Sequence, residues 1–174
     1  MKRFAVVLLL LLTSSIAGFP QATSADRNIS PAERSIARAR KMIEKNPEDF
    51  EGYNMLAWAL SRRARETADA AFYARGEEAL EKSFAIAPGN FDGRKIQVLL
   101  LLGRREFAAA LESAKKLNQQ VPDDVMPYGF MADANAGLGN YKEAEVAAQW
   151  MLDLRAGNTP GLTRAAYLLS LIHI

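Results

Sequence analysis

The sequence contains no cysteine and one histidine, His173. No disulfide can form and no lipid can be attached to a cysteine behind a leader, so stability has to come from packing. A zinc site would need carboxylates alone, which is rare, and His173, one residue from the end, lacks the ordered neighbourhood that a catalytic base requires. Neither G-x-x-x-x-G-K nor G-x-G-x-x-G is present to cradle a phosphate. Asp123-Asp124 lacks the spaced oxygen ligands of a calcium loop and reads as a helix cap, while Glu143 and Glu145 diverge on a helix and read as solvated. The expectation is a protein with no catalytic residues, no cofactor and no metal. Sustained two-residue alternation is also missing, which argues against strands.

Net charge is a further absence. Taking Lys2 and Arg3 from the 22 basic residues leaves 20, and all 20 acidic residues lie at or after Asp26, so the chain beyond its start is formally neutral. The densest basic runs, Arg62-Arg63 with Arg65 and Arg104-Arg105, sit among acidic neighbours and read as solvated faces. A nucleic-acid partner is not expected, because no basic stripe is available to displace counterions from phosphates.

At the start, Met1-Lys2-Arg3 is cationic, Phe4 to Leu12 is an unbroken apolar run and Thr13 to Gly18 is small and weakly polar, the layout of an export signal. Nine apolar residues are too few to span a bilayer. Ser15-Ile16-Ala17 suits a cut at Gly18, and Thr23-Ser24-Ala25 offers a second before Asp26. Residues 1–25 are assigned to this signal and its cleavage region. The expected location is periplasmic or extracellular; the alternative is an uncleaved anchor, the one way in which a membrane enters the reading. About 150 residues remain, enough for one domain with a continuous core, 26–174.

Helical signals fill that domain. Ser30-Pro31-Ala32-Glu33 is a capping box with proline at the first helical position, and the helix should end at Asn46-Pro47. Tyr53, Leu56, Ala57 and Leu60 share a face over 50–63, and Phe72, Ala79, Leu80 and Phe84 share one over 70–87, with Glu78 and Lys82 expected to pair on the wet side. Further helices are expected over 91–103, 106–119, 125–138 and 141–154, divided by Pro88-Gly89-Asn90, Pro122-Asp123-Asp124 and Gly157-Asn158-Thr159-Pro160. Gly139-Asn140 divides the last pair, and Asn140 with Glu143 suggests another cap. Trp150 is expected in the core.

The pattern repeats every 34 residues: Phe107 with Tyr141, Ala110 with Ala144, Ala114 with Ala148, Pro88 with Pro122. Such a period marks stacked helical hairpins. The first unit, Pro47 to Pro88, exceeds it by 7 residues, close to two helical turns, so each helix of that hairpin is expected to lengthen by one turn. The units are 30–49 in part, 50–90 with the insertion, 91–124, 125–158 and an incomplete 159–174.

The chain resembles the tetratricopeptide repeat (TPR) family, whose pattern is W-x2-L-G-x2-Y, A-x3-F and a closing P. Tyr53, Leu56, Ala57 and Leu60 stand at the opening positions, as do Tyr128, Met131, Ala132 and Asn135; Arg94, Gln97, Val98 and Leu101 match less well. Ala110 with Ala114 and Ala144 with Ala148 fill the second-helix positions, and Gly76 with Leu80 fills them in the long unit. The resemblance implies an all-α fold, a right-handed α-solenoid of antiparallel helix hairpins, with small residues where helices approach most closely. It also implies a concave groove lined by the first helices, here Asn54, Trp58, Lys95, Leu99, Phe130, Asp133, Arg164 and Tyr167. Some members clamp a terminal carboxylate with lysine and asparagine one turn apart; Asn54 and Trp58 occupy that pair, so a clamp is not expected. Packing on a neighbouring repeat would equally account for Trp58, Phe130 and Tyr167.

The implied function is a non-catalytic scaffold of the cell envelope that binds a protein or peptide segment with hydrophobic side chains. The alternative is the recognition arm of a longer exported enzyme or secretion component. Thr159-Pro160 opens another first helix with no second helix to cover it, and Ser170-Leu171-Ile172-His173-Ile174 looks like a translated sequencing adaptor. The expectation is a fragment whose array continues, with self-association through the uncapped end as a further route to partners.

Overall fold

Ser30 caps the first helix with the expected capping box. In the computed structural model, which describes residues 29–172, Ser30 Oγ accepts from the Glu33 amide at 3.1 Å and the Glu33 carboxylate accepts from the Ser30 amide at 2.9 Å. Arg63 reaches the same corner, pairing with Glu33 at 2.7 Å and donating to Ser30 Oγ at 3.3 Å. Ser30→Ala should therefore cost about 1–2 kcal/mol, seen as a lower urea midpoint at unchanged slope. The expected export signal and cleavage sites, and His173, lie outside the described residues.

Eight helices follow among the described residues: α1 Pro31–Lys45, α2 Phe50–Thr67, α3 Ala71–Ile86, α4 Phe91–Gly103, α5 Phe107–Gln120, α6 Val125–Leu138, α7 Tyr141–Leu154 and α8 Thr159–Ile172. The connections are short, and each helix packs on the next as α2–α3, α4–α5 and α6–α7 hairpins. The extra residues of the first hairpin are not shared as one turn each. α2 has 18 residues against 13 in α4, and α3 has 16 against 14 in α5, so five of the seven enter α2 and two enter α3. α2 keeps going because Arg62 and Arg63 both pair with Glu66, at 3.3 and 3.5 Å, while Ala64 stays buried; it ends where Ala68 turns left-handed at φ 56°.

Small side chains seat the helices on one another. Ala57, Ala110, Ala132 and Ala144 are all buried, and Val98 occupies the corresponding place in α4. Around them, fully buried Leu60 and Leu100 each contribute roughly 1.5–3 kcal/mol. A second repeated joint has no counterpart in the sequence reading. The caps Asp49, Asn90, Asp124 and Asn158 are each followed three residues later by Gly52, Gly93, Pro127 or Gly161, all buried. A Cβ on Gly52 would lie 3.0 Å from Ile43, one on Gly93 2.9 Å from Phe84 and one on Gly161 2.9 Å from Leu152, so the preceding helix rests on the space that glycine leaves.

Three local expectations need correction. Asn140 does not cap α7 with its side chain, which instead donates back to Asn135 Oδ1 at 3.3 Å. Glu78 and Lys82 do not pair; the Lys82 ammonium lies 6.0 Å from the centre of the Tyr53 ring. At the matching place in the third hairpin Trp150 stacks on Tyr128 at 5.9 Å and is 49 % exposed, so it is not core. The inward positions of α7 are already taken by Ala144, Ala147, Ala148 and Met151.

The curvature follows from which helices touch. α2 contacts α4, α4 contacts α6 and α6 contacts α8, whereas α3, α5 and α7 do not contact one another. First helices thus crowd together and second helices splay apart, so the stack bends with α2, α4, α6 and α8 on its inner side. Among the described residues no helix is long and apolar enough to cross a membrane.

Candidate binding groove

The inner side carries a cavity of about 670 Å³ reaching all four first helices, with Trp58 from α2, Leu99 from α4, Phe130 from α6 and Arg164 from α8 in its wall. Four of the eight expected groove residues therefore meet at one site. Trp58 is 42 % exposed, leaving its ring available. Phe130 is mostly a core residue, packed with Val98, Ala114 and Leu117, although it also borders the cavity.

The other four expected residues are placed differently. Asn54 points into a buried polar cluster: its Oδ1 accepts from Ser83 Oγ at 2.9 Å and from Asn90 Nδ2 at 3.0 Å, and its Nδ2 donates to Asn90 Oδ1 at 3.2 Å. Its amide is consumed in joining α2 to α3 and to the cap of α4. Lys95 is also committed, with Nζ at 2.8 Å from Asp92 and 3.1 Å from Asp124. Burial alone would lower its pKa, but the hydrogen bonds and charges of Asp92 and Asp124 outweigh that and hold it above the ordinary lysine value. The ammonium stays charged at neutral pH, and its contribution to stability is lost only as pH rises through that raised pKa. Asp133 binds Arg164 through two bonds, Nε to Oδ1 at 2.7 Å and Nη2 to Oδ2 at 2.6 Å, which fixes α8 on α6. Tyr167, 57 % exposed, lines a neighbouring recess with Asp133 and Arg164.

Residues beyond the expected set complete the wall. Met126 and Gly129 come from α6, Met151 from α7 and Arg155 from the turn after it. Gly129 was available to sequence reasoning, since it falls 34 residues after Lys95, where Phe130 is one residue late. A Cβ on Gly129 would sit 3.3 Å from Met151 and 3.4 Å from Arg164, so the absent side chain makes room for both. Met151 and Arg155 had no signal, because a second helix is not expected to reach the groove.

The wall is thus an apolar surface of Trp58, Leu99, Met126, Phe130 and Met151 with charge at its margins. Asp124 is spent on Lys95 and on capping α6, accepting from the Met126 amide at 2.9 Å, and Arg164 is spent on Asp133. Asp123 and Arg155 enter no ion pair among the described residues. Methionines adapt to irregular apolar side chains, and the two uncommitted charges can orient a bound segment. Among the described residues no group of three or more potential metal ligands converges.

No protein-family model and no curated protein matches the sequence. Solved structures do resemble the fold. MamA from Desulfovibrio magneticus RS-1 is similar over 82 % of this chain and 76 % of its own, at 16 % identity and a TM-score of 0.61. The first TPR domain of human RPAP3 is similar over 69 % of this chain and 94 % of its own, at 14 % identity and 0.53. The second TPR domain of human RPAP3, solved with an HSP70 peptide, is similar over 67 % and 98 %, at 15 % identity and 0.50. The fold is a TPR-like solenoid of helix hairpins.

Proposed function

We propose that this protein is a non-catalytic interaction scaffold that holds a peptide or protein segment in its concave groove, and that it works in the cell envelope after export. The cavity shared by α2, α4, α6 and α8 is the observation that carries this reading. An apolar wall with two uncommitted charges suits an extended or helical segment that offers hydrophobic side chains. The peptide held by the second TPR domain of RPAP3 shows what a stack of this type can bind, and the cationic, apolar and small-residue succession at the start of the sequence supports export.

Displayed random peptides selected on the purified protein provide the probe. For the peptides recovered, Trp58→Ala should weaken binding at least about tenfold without moving the thermal midpoint, because a half-exposed ring over an apolar wall acts as an anchor. Equal affinity in the variant would remove the groove from consideration. Envelope fractionation, with sequencing of the mature N-terminus at Gly18 or Asp26, tests export, and retention in the cytoplasm would refute it.

A further inference from the structure

The middle hairpin departs from its neighbours where its two helices face each other. The first hairpin has Tyr53, Leu56 and Ala79 and the third has Tyr128, Met131 and Ala147; the corresponding places in the second hold Arg94, Gln97 and Ser113. Three apolar positions have become a guanidinium, an amide and a hydroxyl. In the flanking hairpins rings cover this surface, with Lys82 over Tyr53 and Trp150 stacked on Tyr128. The first hairpin keeps a recess of about 190 Å³ there, whereas the middle one opens a cavity of about 360 Å³.

Its polar wall is Arg94, Gln97, Ser113, Lys116, Gln119 and Gln120, over the buried Leu117. No carboxylate lines it. Arg94 Nε is buried and meets no hydrogen-bond acceptor, and no carboxylate pairs with Arg94 among the described residues. A guanidinium without a countercharge costs free energy where it is partly buried, and an anion entering the cavity that Arg94 lines supplies that charge. The Phe91 ring, 5.5 Å from the guanidinium, holds it in place, and Lys116 adds positive charge while Glu112, 2.6 Å from its ammonium, takes part of that charge.

We infer that this cavity binds a small oxyanion, a carboxylate or phosphate group. Arg94 supplies the planar fork, and Lys116 with the amides of Gln97, Gln119 and Gln120 surrounds it. None of these residues lines the concave groove, so the site is independent of the groove and its occupant.

Calorimetric titration of the protein with sodium phosphate, and separately with sodium succinate, tests this at low ionic strength. Saturable binding of either or both, at a Kd of about 1 mM or tighter and weakened by added chloride, is expected and assigns the class of anion. The double variant Arg94→Tyr with Gln97→Met carries the residues of the third hairpin, so it should fold, and it should bind at least about tenfold more weakly. Circular dichroism checks that it does; if it does not, Arg94→Gln takes its place with the same expectation. Absence of saturable binding of either anion up to about 20 mM, or equal affinity in a folded Arg94 variant, overturns the proposal.

Discussion

Gly103→Ala is expected to destabilise the protein by about 2–3 kcal/mol, although alanine is favoured over glycine in a helix by up to about 1 kcal/mol. The sign reverses because of the ring opposite. A Cβ at Gly103 would fall 2.7 Å from the Tyr73 hydroxyl oxygen and closer still to the ring carbons. Tyr73 is buried in the cluster of Ala57, Leu80, Ile96 and Leu100, so its ring cannot swing aside without opening that cluster. The same joint recurs one repeat later, where a Cβ on Gly137 would lie 2.6 Å from Phe107. Phe107 is only half-buried and can turn, so Gly137→Ala should cost less, under about 1 kcal/mol. Urea unfolding of both variants, and of Gly103→Ala combined with Tyr73→Leu, measures the effect; the pair should show a coupling of about 1 kcal/mol or more in the direction of rescue. A stabilised Gly103→Ala would mean that the contact between α3 and α4 is not as close as described.

Asn90→Asp should be the more instructive substitution, since asparagine and aspartate are close to interchangeable as helix caps. At this cap they should differ by about 2–4 kcal/mol. Asn90 Oδ1 accepts from the Gly93 amide at 2.9 Å, which fixes the amide's orientation, and Nδ2 donates to Asn54 Oδ1 at 3.0 Å and to Ser83 Oγ at 2.8 Å. A carboxylate keeps the cap but has no donors, and it sets a buried charge against Asn54 Oδ1. Asn54, Ser83 and Asn90 are all buried, and only the recess that Asn54 and Asn90 line beside Phe50 and Phe91 admits water, so water repairs only part of the loss. Burial and the facing Asn54 Oδ1 raise the folded-state pKa of the introduced carboxyl above its unfolded value by more than the retained Gly93 amide lowers it. The penalty is then full above the folded pKa and fades as pH falls through it, because the protonated acid regains one donor. Denaturant unfolding at pH 7 and pH 4 reads this directly, and a penalty that is absent or grows on acidification contradicts the network.

Much of the scaffold could be read in advance because helix and turn signals are local. The Ser30 box, the Asp124 cap and the bounds of α6 and α7 follow from residues within a few positions of each other. The buried alanines were legible through the 34-residue period, which needs no knowledge of partners. Groove membership was legible only in part. Trp58 and Leu99 kept their expected places, but Asn54 turned inward because Ser83 and Asn90, 29 and 36 residues away in sequence, present a hydroxyl and an amide to it. Lys95 is paired with Asp124, 29 residues away, for the same kind of reason.

The sequence by itself determined the hairpins, their period and the small residues between them, since each is fixed by the spacing of side chains along a helix. Only the tertiary structure decided how seven extra residues divide between α2 and α3, that Trp150 stacks half-exposed on Tyr128, and that Met151 and Arg155 enter the groove. It also exposed the polar cavity behind Arg94. Spacing fixes the face of a helix on which a side chain stands, but the chemistry opposite that face comes from another helix. Whether a polar group is spent within the fold or left for a ligand depends on that meeting.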